Sequence, residues 1–155
     1  MSIFVRTLAA VLCLAAFKIA VLAQAPAIGC SMDKNHYSCD KSQFTKVLKA
    51  AKVVAVETRP FNQVSAGALE GLARELGKSV QTGSAELVFV LEPADPDGIY
   101  FGPNDRELAS LRVFQRGPNG KRGQLLWVES FKGQPDMAWL MVVHGTIQQF
   151  KEEFK

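Results

Sequence analysis

KVVAVETR (residues 52–59) decides the fold. Val53, Val54, Ala55 and Val56 place apolar side chains on both faces of an extended chain, which predicts a strand buried on both sides. Pro60 stops it. AELVFVLEP (85–93) repeats the pattern and also ends at a proline. Between them, SAGALEGLARELGKS (65–79) carries Leu69, Leu72, Ala73 and Leu76 as one stripe at helical period. Ser65 is its candidate N-cap and Gly77 its candidate end. Gly67 and Gly71 weaken the helix intrinsically, so packing against a sheet must hold it. Strand, helix and strand on short links predict a right-handed crossover and a parallel central pair.

Upstream, Asp40-Lys41-Ser42-Gln43 reads as a capping box. Phe44, Val47, Leu48 and Ala51 follow at helical spacing and predict a helix over about 41–50. Downstream, LASLRVFQRG (108–117) and QLLWVESFKG (124–133) predict two strands joined across PNGK (118–121), a strong turn signal. They are more polar than the first two, and Arg112, Arg116 and Glu129 suit a half-exposed sheet margin. PDMAWLMVVHGTIQQFKEEFK (135–155) predicts a closing helix with Asp136 as N-cap. Its expected apolar face is Met137, Leu140, Val143, Ile147, Phe150 and Phe154, with Trp139 off the stripe. Gly145 in its middle suggests close approach to another element. The expected fold is α+β (mixed α/β): one sheet of about four strands, packed by helices, in the order α-β-α-β-β-β-α.

The first residues, MSIFVRTLAAVLCLAAFKIAVLAQAPA, have the form of a secretory signal. Arg6 supplies the positive start, Thr7 to Phe17 the apolar run, and Val21 and Ala23 the small residues before a cut at Gln24. Lys18 interrupts the run, which argues against a membrane-spanning helix. The expected organisation is a signal peptide over 1–23, an irregular arm over 24–40 and a single α+β domain over 41–155. Removing Arg6 and Lys18 from 18 basic residues leaves 16 against 15 acidic ones, a net charge of +1. So balanced a chain has no broad field to draw nucleic acid or an anionic membrane.

Export bears on GCSMDKNHYSCDKS (29–42). Cys13 lies in the signal, which leaves Cys30 and Cys39 as a pair in a compartment where disulfides persist. A disulfide is the expected state. The alternatives are free thiols, or a metal site with His36 and either Asp33 or Asp40, although a structural zinc needs four ligands.

Motifs of catalysis are sparse. His36 and His144 are the only histidines, and neither H-E-x-x-H nor G-x-S-x-G occurs. His144 with Glu57 or Asp136 is the one acid–base pair to consider, conditional on the fold bringing them together. GPNGKRG (117–123) lacks the phosphate-loop order, but Lys121 and Arg122 with Arg112 and Arg116 form a candidate polyanion site. The link EPADPDGIYFGPNDRE (92–107) holds Asp95, Asp97, Asn104, Asp105 and Glu107, which are oxygen ligands of the kind calcium takes and also ordinary turn residues. Candidate binding residues are Tyr100 and Phe101 in that link, and Trp127 and Phe131 on the strand after it. No cofactor is expected, and no catalytic or metal-ligand set is assigned.

AKVVAVETRPF, AELVFVLEP and QLLWVESF, followed by a terminal helix, together resemble a loose group of small secreted bacterial proteins of uncharacterised function. The likeness spans about residues 46–154. In architecture the chain is also similar to mixed-sheet domains of envelope lipoproteins and accessory factors. No cysteine directly follows the candidate cut, so a lipid anchor is not implied. Export, a mixed sheet, apolar residues on both strand faces and the missing catalytic motifs lead to the expectation of a secreted or periplasmic, non-enzymatic binding or accessory module. Its partner would be another envelope protein, with no nucleic acid and no stable membrane span after signal cleavage. The competing expectations are an enzyme built on His144 and a calcium- or polyanion-binding protein.

Overall fold

In the computed structural model, Val53–Thr58 is a strand (β3) and Leu87–Pro93 a second one (β5), paired in parallel from Val54 opposite Leu87 to Thr58 opposite Leu91. The structure describes residues 29–33, 36–59, 62–94 and 106–154. Residues 1–28, which include the expected signal peptide, and residues 95–105, with Tyr100, Phe101 and most of the candidate calcium ligands, lie outside the described residues.

The remaining elements are a small hairpin of Ser31–Asp33 (β1) and His36–Ser38 (β2), then helix Lys41–Ala50 (α1) and helix Gln63–Glu75 (α2). Strands Ser79–Val80 (β4), Arg106–Arg116 (β6) and Arg122–Gly133 (β7) and helix Trp139–Phe154 (α3) follow. The main sheet runs β4-β3-β5-β6-β7, with β4 and β5 parallel to β3, and β6 and β7 added antiparallel. It therefore has five strands rather than about four. The added strand, β4, is two residues long, too short for any hydrophobic alternation to announce it. The arm is likewise not wholly irregular: β1 and β2 pair across Met32 and Tyr37.

The two-sided apolarity of the valine-rich strands now has its reason. Leu87, Phe89 and Leu91 point to one face, where Val54, Leu111 and Val113 join residues of all three helices in the main core. Val88 and Val90 point to the other face and are fully buried there with Ala55, Ala85 and Phe114. Among the described residues, the helices cover only the first face.

Local chemistry sets the helix ends. Asp40 caps α1 by accepting from the Gln43 N–H at 2.9 Å, as the capping box requires. At the other end Lys78 Nζ donates to the Leu48 and Ala51 carbonyls at 2.5 and 2.6 Å, tying the exit of α2 to the exit of α1. Burial lowers the pKa of Lys78, and the charge of Glu86 opposes that shift. Gly77, with φ +72°, takes the left-handed turn that ends α2.

Two expected caps are corrected. Helix α2 starts at Gln63, before the expected cap Ser65: Asn62 is the N-cap, accepting from the Val64 and Ser65 N–H groups at 2.9 and 3.1 Å. Ser65 is instead 1% exposed and accepts a hydrogen bond from Trp139 Nε1 at 3.0 Å. Trp139 is thereby drawn against the main core rather than left off the stripe. Asp136 does not cap α3 either; Pro135 and Asp136 form a turn, and the helix begins at Trp139. The buried face is Val142, Val143, Thr146, Phe150 and Phe154. Leu140, expected inside, points outward.

The disulfide forms: Cys30 and Cys39 are joined at 2.01 Å. The Cys30 N–H donates to the Leu125 carbonyl of β7 at 2.9 Å, and the Tyr37 ring lies 5.7 Å from the Arg112 guanidinium. The arm is thus fastened to the sheet through Cys30 and Tyr37. Replacing both cysteines with serine is expected to cost about 2 kcal/mol, the entropy of a short loop. Hydrogen exchange should show amides 31–38 losing protection while 53–58 and 87–91 keep theirs. Equal loss in both regions would mean that the bridge supports the whole sheet.

Candidate functional site

The candidate site grows from two glycines. A Cβ at Gly145 would stand 2.3 Å from Phe131 Cε2, and a Cβ at Gly133 would stand 2.6 Å from Met137 Sδ. The close approach expected of Gly145 is therefore to Phe131 of β7. With no side chain at either position, the Phe131 ring seats against α3 and the Met137 sulfur comes close to the Gly133 backbone. Above this floor the first turns of α3 project Leu140, Met141 and His144. Together these side chains line an open groove of about 530 Å³.

The groove is apolar and its rim is bare. Leu140 is 64% and Met141 60% exposed. Single exposed apolar residues are ordinary, but adjoining ones beside a hydrophobic groove mark an interaction surface. Phe131, one of the expected binding residues, lies in it. Trp127 does not: its ring stacks on Phe44 at 5.3 Å and meets Phe154 edge-on at 4.8 Å, which makes it a core residue. Met137, Leu140 and Met141 were not among the expected binding residues. Their signal was the run Ala138 to Val143, apolar all round, in which helical period alone cannot say which side faces out.

The register sets Arg116 opposite Arg122, and two of the four basic candidates are paired with carboxylates. Arg112 Nη1 lies 3.0 Å from Glu92 Oε1, and Arg122 donates to Glu57 Oε2 from Nη2 at 2.5 Å and Nε at 3.0 Å. Nε of Arg112 and Nε of Arg116 are buried, and Lys121 stands exposed at the hairpin end. Glu57 is thus engaged by Arg122 on the face away from the helices. His144 is exposed on α3, no carboxylate lines its groove, and among the described residues it has no hydrogen bond or ion pair with Glu57 or Asp136. No group of three or more His, Cys, Asp and Glu side chains among the described residues is placed to hold a metal ion.

Glu129 departs furthest from its expected half-exposed place. It is 9% exposed on the helix-covered face, where Oε1 accepts from Gln149 Nε2 at 2.6 Å and Oε2 from Trp127 Nε1 at 3.2 Å. Burial raises its pKa above the ordinary glutamate value. The bonds from Trp127 and Gln149 pull it back, Glu153 pushes it up and Lys41 lowers it. Because the folded value lies above the unfolded one, the ionised carboxylate penalises the fold at neutral pH. That penalty fades as the pH falls through the raised folded value and is gone below the unfolded one. Glu129→Gln should therefore gain on the wild type at neutral pH and lose this gain on acidification, read from urea midpoints across a pH series. Parallel curves for the two proteins would contradict it.

No protein-family model matches the chain, and no curated protein matches it.

Proposed function

We propose that the chain is an exported, non-enzymatic binding or accessory module of the cell envelope, and that it holds an apolar segment of another envelope protein in the groove between β7 and α3. The observation that carries this reading is the exposed pair Leu140 and Met141 beside a hydrophobic floor of Phe131 and Met137. Methionine suits such a role because its unbranched, polarisable side chain adapts to varied apolar shapes. The Cys30–Cys39 bridge accords with an oxidising compartment. No helix among the described residues is long and apolar enough to cross a membrane.

Leu140→Asp and Met141→Asp test the reading. Both side chains are exposed, so both variants should keep the wild-type circular dichroism and melting temperature. From envelope extract, the wild type should retain one stoichiometric protein that neither variant retains. Retention by the variants equal to that of the wild type would move the contact elsewhere on the molecule.

A further inference from the structure

We propose that Met137 in the floor of the same groove and Met141 and His144 above it form a binding site for a soft monovalent metal ion, Cu(I), independently of whether a protein partner also docks there. All three side chains line one cavity, and no carboxylate accompanies them. That donor set is selective. Thioether sulfur is a ligand for soft ions such as Cu(I), whereas calcium, magnesium and manganese take carboxylate, carbonyl and water oxygen. Two thioethers and an imidazole carry no charge, and an apolar surround favours a singly charged, easily dehydrated ion over a divalent one.

The backbone arrangement supports a shared ion. Met141 and His144 are three residues apart on α3, which puts them on one face of the helix with Cβ atoms about 5–6 Å apart. Both are exposed, so their side chains can turn onto a common point without breaking core contacts. Met137 precedes the helix, its N–H donating to the Gln134 carbonyl at 3.1 Å, and its sulfur is seated in the room left by Gly133. A groove meant only for hydrocarbon has no use for an imidazole at its rim. A site for a soft ion uses it as the third ligand.

Ag(I) is the probe for the test, because it shares the ligand preference of Cu(I), undergoes no redox change and needs no reductant that would open the Cys30–Cys39 bridge. The full chain, carrying Cys13→Ser so that no free thiol competes for the ion, is titrated calorimetrically in chloride-free buffer. Met141→Leu keeps the volume and apolarity of the side chain while removing its sulfur, and His144→Ala removes the imidazole. The wild type should take up one ion per chain with saturation. Each variant should bind about 10–100-fold more weakly, at least the loss seen when a metal ligand's supporting residue is removed. A control carrying Met32→Leu and His36→Ala, which removes the soft donors of the arm, should bind as the wild type does. Absence of saturable binding, wild-type affinity in Met141→Leu or His144→Ala, or loss of binding in the control would each overturn the proposal.

Discussion

Phe44→Ala is expected to destabilise the protein by about 3–5 kcal/mol, the cost of a large cavity in a core that cannot collapse around it. Phe44 is 0% exposed, and with Leu48 it joins α1 to the main core. Its ring stacks on Trp127 of β7 and meets Phe150 and Phe154 of α3 edge-on at 6.3 and 5.0 Å. Removing it takes one wall from each of three other rings. A small domain's whole stability is about 5–15 kcal/mol, so the variant could be partly unfolded. Phe44→Leu, which keeps most of the volume, guards against that outcome and should lose less than Phe44→Ala. Urea denaturation gives the magnitude, and Trp127 fluorescence should shift to the red as its stacking partner disappears. A loss below about 1 kcal/mol for Phe44→Ala would show that α1 is not part of the core.

Gly145→Leu is expected to cost about 3 kcal/mol, against the usual sign for a glycine inside a helix. In an unobstructed helix a residue with a side chain is better than glycine by up to about 1 kcal/mol. Gly71 of α2 is the internal comparison, because a Cβ there meets nothing within 4 Å. Gly71→Ala should stabilise, whereas Gly145→Ala should not, its Cβ being directed into the Phe131 ring. Truncating that ring removes the obstacle, so adding Phe131→Ala to Gly145→Leu should recover part of the loss, and the two changes should be non-additive. Thermal denaturation of the four proteins of the cycle measures the coupling. Strict additivity, or a stabilising Gly145→Ala, would mean that the groove floor is not assembled around this glycine.

The centre of the fold was legible because valine runs such as 53–56 have one physical solution in a chain of this size, a strand covered on both sides. The pairing of β3 with β5 followed from the helix between them. The glycine of α3 was legible too, since a glycine amid good helix formers needs a packing reason. Other features fell below what a linear pattern can carry. Strand β4 is only Ser79 and Val80, held by the start of β3. The start of α2 was expected at Ser65, whereas Asn62, also an acceptable cap, takes that role. Asn62 prevails because Thr58 Oγ1 accepts its N–H at 3.0 Å and fixes the chain just before the helix. Ser65 is then left to receive Trp139.

The site was harder to read for a related reason. From Trp139 to Val143 every residue is apolar, so a rotation of the helix costs little in the sequence pattern. The rotation is set by tertiary contacts, with Trp139 bonded to Ser65 and Phe131 under Gly145. Leu140 and Met141 turn outward as a consequence. Glu129 carried a signal that could have been used: it alternates with Trp127 and Phe131 on β7 and so shares their inward face.

Site-specific photo-crosslinking in intact cells tests the central claim most directly. A photoreactive residue is placed at Leu140 or Met141 on the groove and, for comparison, at Lys121 on the exposed hairpin end. One discrete adduct with an envelope protein is expected from positions 140 and 141, and none from position 121. Adducts from position 121, with none from the groove, would contradict the assignment of the groove as the binding surface.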